Sequence, residues 1–151
     1  MQAQDIMVNR VYKVKENDSV RAVIDKFIEY QISGLPIVND RNEIIGFISD
    51  GDVLRYIGKH DDHIVDSLYY AFVITGDQEE FEDRIERLLN LNVMEIAKKK
   101  VFKVSWKEDI ENIAAYLGKK QIKKVPVEKN GVLVGIISRG DVIRNLFKTL
   151  V

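Results

Sequence analysis

The segment Gly-Phe-Ile-Ser-Asp-Gly-Asp-Val-Leu-Arg at 46–55 returns at 135–144 as Gly-Ile-Ile-Ser-Arg-Gly-Asp-Val-Ile-Arg, with seven of ten positions identical. A repeat of this kind, in a chain of 151 residues, means two copies of one small folding unit. Pro36 and Pro126 align at an offset of 90, and Asp52 and Asp141 at 89. The one-residue difference falls in 39–43 against 128–131, where a hairpin turn absorbs it most easily.

Each copy reads β-α-β-β-α. A short strand (Val11–Val14 or Val101–Val104) precedes an amphipathic helix. The helix carries apolar residues at i, i+3, i+4 and i+7: Val20, Val23, Ile24 and Phe27 in the first copy, Ile110, Ile113, Ala114 and Leu117 in the second. A strand around the proline follows, then a more apolar strand (Ile44–Ile48 or Val132–Ile137), then a second helix starting near Gly51 or Gly140. The class is α+β, two such motifs related by a pseudo-two-fold axis. The boundaries are 1–57 for the first motif, 58–92 for an insertion and 93–151 for the second motif.

Between the copies, Ile64, Val65, Leu68, Tyr69, Phe72 and Val73 share one helical face, and Phe81, Ile85, Leu88 and Leu89 share another. This predicts a helical insertion, two helices separated near Thr75-Gly76-Asp77. The cluster His60-Asp61-Asp62-His63 has metal-ligand chemistry but lacks further histidines, and a polar loop with a helix cap explains it; no metal site is expected.

Composition narrows the function. Hydrophobic residues make up 46%, enough for a core, and the net charge of −1 leaves no global basic excess to draw the chain to nucleic acid or an anionic membrane. There is no cysteine, no run approaching the ~20 apolar residues of a membrane helix, and no signal-peptide pattern in Met1–Asp5. A cytoplasmic location, no nucleic acid and no membrane are the expectations.

The repeated box holds the candidate chemistry. Ser49-x-x-Asp52 and Ser138-x-x-Asp141 have capping-box spacing, in which serine and carboxylate satisfy orphan N–H groups. A cap alone accounts for them. A cap that also receives a ligand accounts in addition for Gly51 and Gly140, because glycine is poor in a helix and removes bulk where a ligand approaches. Both readings stand at this point. Arg55 and Arg144, one turn on, supply positive charge.

Three features, each occurring twice and in order, resemble the CBS (cystathionine β-synthase) domain family: the lead-ins Asp5-Ile6-Met7 and Asn92-Val93-Met94, the proline strands Leu35-Pro36-Ile37 and Val125-Pro126-Val127, and the two boxes. The resemblance covers 5–57 and 92–147 and implies a tandem pair, or Bateman module, that commonly dimerises into a disc. It implies clefts for adenosine-containing ligands: AMP, ADP or ATP first, with cyclic di-AMP, NAD or S-adenosylmethionine as alternatives, and no catalytic cofactor. The implied ribose ligands are Asp52 and Asp141, with Ser49 and Ser138 on ribose or phosphate. The implied adenine walls are Val11, Tyr12, Ile32 and Pro36, and their counterparts Val101, Phe102, Ile122 and Pro126. Lys13 and Lys103 stand where many relatives carry Thr or Ser.

The copies differ in charge. Lys123-Lys124 and Arg139 in the second replace Ser33-Gly34 and Asp50 in the first. This predicts a phosphorylated ligand at the Asp141 site, the lysines serving as phosphate partners or as solvated surface charge. No nucleophile–base arrangement points to an enzyme. The expected function is a regulatory nucleotide-binding module, acting as a homodimer on a separate partner protein; the alternative is a ligand-free dimerisation scaffold.

Overall fold

The structure, a computed structural model, describes residues 1–58, 63–66, 71–74, 80–119 and 122–151. The first copy forms a three-stranded sheet from β1 (Val14–Lys15), β2 (Gly34–Val38) and β3 (Ile44–Ser49), with helices α2 (Val20–Tyr30) and α3 (Asp50–Ile57); the short helix α1 (Ala3–Ile6) precedes them. The second copy repeats this with β6 (Val104–Ser105), β7 (Lys124–Lys129) and β8 (Val132–Ser138), and helices α5 (Ile110–Lys119) and α6 (Arg139–Phe147). In each sheet the short first strand pairs parallel to the second, which pairs antiparallel to the third. The first strands are shorter than predicted and begin at Val14 and Val104, so residues 11–13 and 101–103 lie outside the ladders.

The insertion departs from prediction in its first half. β4 (His63–Asp66) and β5 (Ala71–Ile74) pair antiparallel with His63 opposite Ile74 and Asp66 opposite Ala71. A short apolar run has no periodicity that separates strand from helix, and the β-branched Ile64, Val65, Val73 and Ile74 favour the strand. Leu68, Tyr69 and Thr75–Asp77 lie outside the described residues, as do His60–Asp62. The second predicted helix is present as α4 (Phe81–Asn90), with Leu88 buried against Val20 and Val53. Arg84, 5% exposed, reaches from α4 to the end of α3, where Nη1 donates to Ile57 O at 2.8 Å and Gly58 O at 3.1 Å.

The two lead-ins are exchanged between the copies. Ala3 N–H donates to Glu108 O at 2.8 Å, and Val8 bridges Ile136, so the N-terminal segment lies on the second copy. In the mirror contact Val93 N–H donates to Asp18 O at 3.0 Å, and Lys98 bridges Phe47. Ala3 and Ile6 are buried in the core with Ile113, Val125 and Ile137; Val93 is buried with Val14, Leu35 and Ile48. The glycine that opens each box leaves room for the crossing chain. A Cβ at Gly135 would stand 2.5 Å from Met7 Sδ, and one at Gly46 would stand 3.3 Å from Lys98 O and 3.4 Å from Met94 Sδ. The Met of the lead-in and the Gly of the box are therefore partners across the copies. Val38, Ile44 and Leu133 bury the seam between the sheets.

Candidate ligand site between the two copies

Both predicted caps form. Ser49 N–H donates to Asp52 Oδ2 at 2.9 Å and Ser138 N–H to Asp141 Oδ2 at 2.8 Å. Asp141 N–H donates to Ser138 Oγ at 3.1 Å, completing the reciprocal pair. Each remaining carboxylate oxygen takes an arginine: Arg55 Nη2 lies 2.6 Å from Asp52 Oδ1, and Arg144 Nη2 lies 3.0 Å from Asp141 Oδ1. A Cβ at Gly51 would meet Arg55 Nη1 at 3.2 Å, and one at Gly140 would meet Arg144 Nη1 at 2.8 Å. The space these glycines leave is used by the arginine folding back over its own helix.

The lead-in exchange makes the clefts composite. A larger cavity of about 310 Å³ joins the first box to the second copy's strands. Ser49, Asp50, Gly51 and Arg55 line one side, and Val101, Phe102, Ile122 and Pro126 the other. A smaller cavity of about 230 Å³ joins the second box, through Ser138 and Asp141, to Val8, Val11, Tyr12 and Ile32 of the first copy's segment. Predicted site residues therefore meet in crossed pairs. Ser49 faces Phe102, Ile122 and Pro126, while Asp141 and Ser138 face Tyr12 and Ile32. Sequence order alone pairs each box with its own copy's strand, because the crossing of the lead-ins is not encoded in local periodicity.

Three predicted residues lie outside the cavity walls. Pro36 is fully buried in β2. Asp52, 7% exposed, sits behind Arg55 in the sense that Arg55 lines the larger cavity and Asp52 does not. Arg139 lines neither cavity, its N–H donating to Lys123 O at 3.2 Å. Lys13 and Lys103 also line neither: Lys13 Nζ donates to Asn42 Oδ1 at 2.6 Å, and Lys103 Nζ lies 3.2 Å from Glu128.

The larger cavity gathers positive charge. Among the described residues Lys98, Lys100, Lys123, Lys124 and Arg55 line it, against the single carboxylate of Asp50. Lys123 lines the cavity of the first box while its carbonyl accepts from Arg139 N–H of the second, and Lys124 lines both cavities, so the lysine pair is shared between the two boxes rather than held by the Asp141 site alone. Lys98 and Lys100 were missed; the signal was the plain run Lys98-Lys99-Lys100, legible only once the second lead-in is known to cross onto Phe47. The smaller cavity holds Arg10 and Lys124 with Asp141.

Lys124 lines both cavities. Burial pushes its ammonium below the usual lysine range, and the carboxylates of Asp141 and then Asp50 pull it back up. Aromatic walls flank each cleft: Phe102 meets Tyr116 edge-on at 4.9 Å, and Tyr12 stacks on Tyr30 at 3.9 Å. Among the described residues no group of three or more His, Cys, Asp or Glu is placed to hold a metal, and no helix is long and apolar enough to cross a membrane.

Known proteins share this architecture. The chain is 29% identical over 154 residues to MJ1426 of Methanocaldococcus jannaschii, covering 97% of this chain and 91% of that protein. It is 26% identical over 151 residues to the chloroplastic CBS domain-containing protein CBSX2 of Arabidopsis thaliana, covering 93% of this chain and 61% of that protein. The crystal structure of CBSX2 in complex with AMP superposes with a TM-score of 0.74 at 22% identity, covering 98% of this chain and 97% of that one. The CBS domain pair of MJ0100, solved with 5′-methylthioadenosine and S-adenosylmethionine, superposes with a TM-score of 0.68 at 19% identity, covering 99% and 98%. The CBS domain family model matches residues 3–59 and 93–148, the two copies with the insertion between them. The chain belongs to the CBS domain family, as a tandem pair.

Proposed function

We propose that this chain is a regulatory module that binds an adenosine-containing ligand in the composite clefts, with a phosphorylated ligand in the larger one. The observation that carries this reading is the wall of the larger cavity, where four lysines and Arg55 face one carboxylate beside an apolar surface of Val101, Phe102, Ile122 and Pro126. A phosphate chain requires clustered cations, and a purine requires an apolar slot with backbone polar groups at its edge. The cavity volume of about 310 Å³ fits small-molecule sites, which start near 300 Å³. Relatives solved with AMP and with S-adenosylmethionine support the adenosine class. In the smaller cavity Asp141 lines the wall, which supports a role for its carboxylate in accepting ribose hydroxyls.

Because each cleft draws walls from both copies, a ligand that favours one relative arrangement of the copies shifts the module toward it by its differential affinity. The output passes to a partner protein, and the module works as a homodimer rather than as an enzyme. The test is a thermal-shift panel of AMP, ADP, ATP, NAD, S-adenosylmethionine and cyclic di-AMP. A ligand at about 100 times its Kd adds about 2.7 kcal/mol to stability. No shift from any of the six overturns the reading.

A second reading, a dimerisation scaffold without ligand, rests on Leu54 and Ile143. They hold equivalent positions on α3 and α6 and are 61% and 57% exposed. Sedimentation decides it: a dimer indifferent to every nucleotide favours the scaffold.

A further inference from the structure

Gly34 and Lys124 occupy equivalent positions of the two copies, at the offset of 90 set by the prolines two residues on. Each lines both cavities, so the pair forms the partition between them. The partition is asymmetric. A Cβ at position 34 would stand 3.0 Å from the Phe47 ring, which leaves no room for a side chain without displacing that ring. Among the described residues, position 124 carries the one ammonium that lines both cavities. Its carboxylate neighbours are divided between them: Asp50 lines only the larger cavity and Asp141 only the smaller.

We infer that Lys124 couples the two cavities, so that an anionic ligand bound in one weakens the binding of an anionic ligand in the other. This rests on the reading of both clefts as nucleotide sites. One ammonium at the partition serves one phosphate fully. A first nucleotide draws Lys124 to its own side, and the second must bind beside a like charge with that cation already engaged. The effect is a coupling free energy between sites and is reciprocal, whichever cavity fills first. An uncharged nucleoside makes no demand on the ammonium and shows no such coupling. The two copies thus carry near-identical boxes, yet their occupancies are linked through a position that is glycine in one copy and lysine in the other.

The test is an AMP titration followed by the backbone amides of Gly51, which reports the larger cavity, and Ser138, which reports the smaller. A two-site fit to both isotherms gives the coupling factor. The expected result is negative coupling of at least about fivefold in the wild type, retained in Lys124→Arg, reduced to within about twofold in Lys124→Met, and absent for adenosine in all three proteins. Coupling of undiminished size in Lys124→Met, or independent sites in the wild type, overturns the proposal while leaving both sites as nucleotide sites. Failure of AMP to shift either amide overturns the proposal together with the reading beneath it. Lys124→Arg guards against a fold defect in Lys124→Met, because loss of coupling in both variants, with both folded, also contradicts the role of the charge.

Discussion

Arg55 holds Asp52 through an Nη2–Oδ1 contact of 2.6 Å, and it is the guanidinium, not the carboxylate, that lines the larger cavity. The first box therefore presents Arg55, with Asp50, to the larger cavity, while the second presents the carboxylate of Asp141 to the smaller. Arg55→Met is expected to weaken AMP binding at the larger cavity about tenfold or more, in keeping with a charge-assisted hydrogen bond of about 1.5–3 kcal/mol. Calorimetry of the variant checks this, and an unchanged affinity contradicts the assignment of Arg55 to the ligand.

The carboxylates themselves differ in burial. The Asp52 side chain is 6% exposed and that of Asp141 15%. Asp52→Ala is expected to cost more stability than Asp141→Ala, each on the scale of a lost cap, about 0.5–2 kcal/mol. Asp141→Ala, in contrast, is expected to remove nucleoside binding from the smaller cavity. Urea unfolding gives the first comparison, and adenosine titration of the Ser138 amide gives the second.

The lead-in exchange predicts a specific non-additive pair. Gly135→Ala presses a Cβ onto Met7 and is expected to destabilise the chain by about 1–3 kcal/mol, as overpacking does. Met7→Ala removes the obstructing side chain, so the double variant is expected to recover part of that loss. A double-mutant cycle in urea reads the coupling directly, and strict additivity contradicts the contact. Gly46→Ala, with its nearest atoms at 3.3 Å, is expected to cost less.

Lys124 gives a pH signature. Its folded-state value is lowered by burial, less what Asp141 and Asp50 restore, while Lys123 and Arg10 add like charge in the same walls. In the window between that lowered value and the ordinary lysine value near 10.4, the folded chain releases a proton that the unfolded chain keeps. Stability attributable to Lys124 therefore rises with pH across that window, because a cost of burying charge is relieved. Phosphate affinity falls across the same window as the ammonium is lost. AMP titrations at increasing alkaline pH are expected to show this decline in the wild type and not in Lys124→Arg.

The elements that carry the site were legible wherever one residue pattern admitted one structure. The i, i+3, i+4, i+7 stripes fixed α2 and α5, and the Ser-x-x-Asp spacing fixed where α3 and α6 begin. The β4–β5 hairpin was not legible, because four consecutive apolar residues at 71–74 carry no period. The crossing of Met7 onto Gly135 and of Lys98 onto Phe47 was not legible either. It is a tertiary choice between two equivalent partners, and in a duplicated chain local sequence suits both equally. That choice moved Lys98 and Lys100 into a site where no motif placed them, and it brought the first box up to Lys123, whose carbonyl still accepts from Arg139 N–H of the second box.

The most direct test of the larger cavity as a phosphate site is the thermal shift of the wild type and of the double variant Lys98→Met/Lys123→Met with adenosine, AMP and ATP at equal concentration. Both lysines line only the larger cavity. The larger cavity's cations predict that the wild-type shift grows from adenosine to AMP to ATP, and that the double variant, which keeps Lys100, Lys124 and Arg55, shows a clearly smaller growth with phosphate while keeping the adenosine shift. Equal shifts for all three ligands in the wild type, or no shift for any of them, would contradict it.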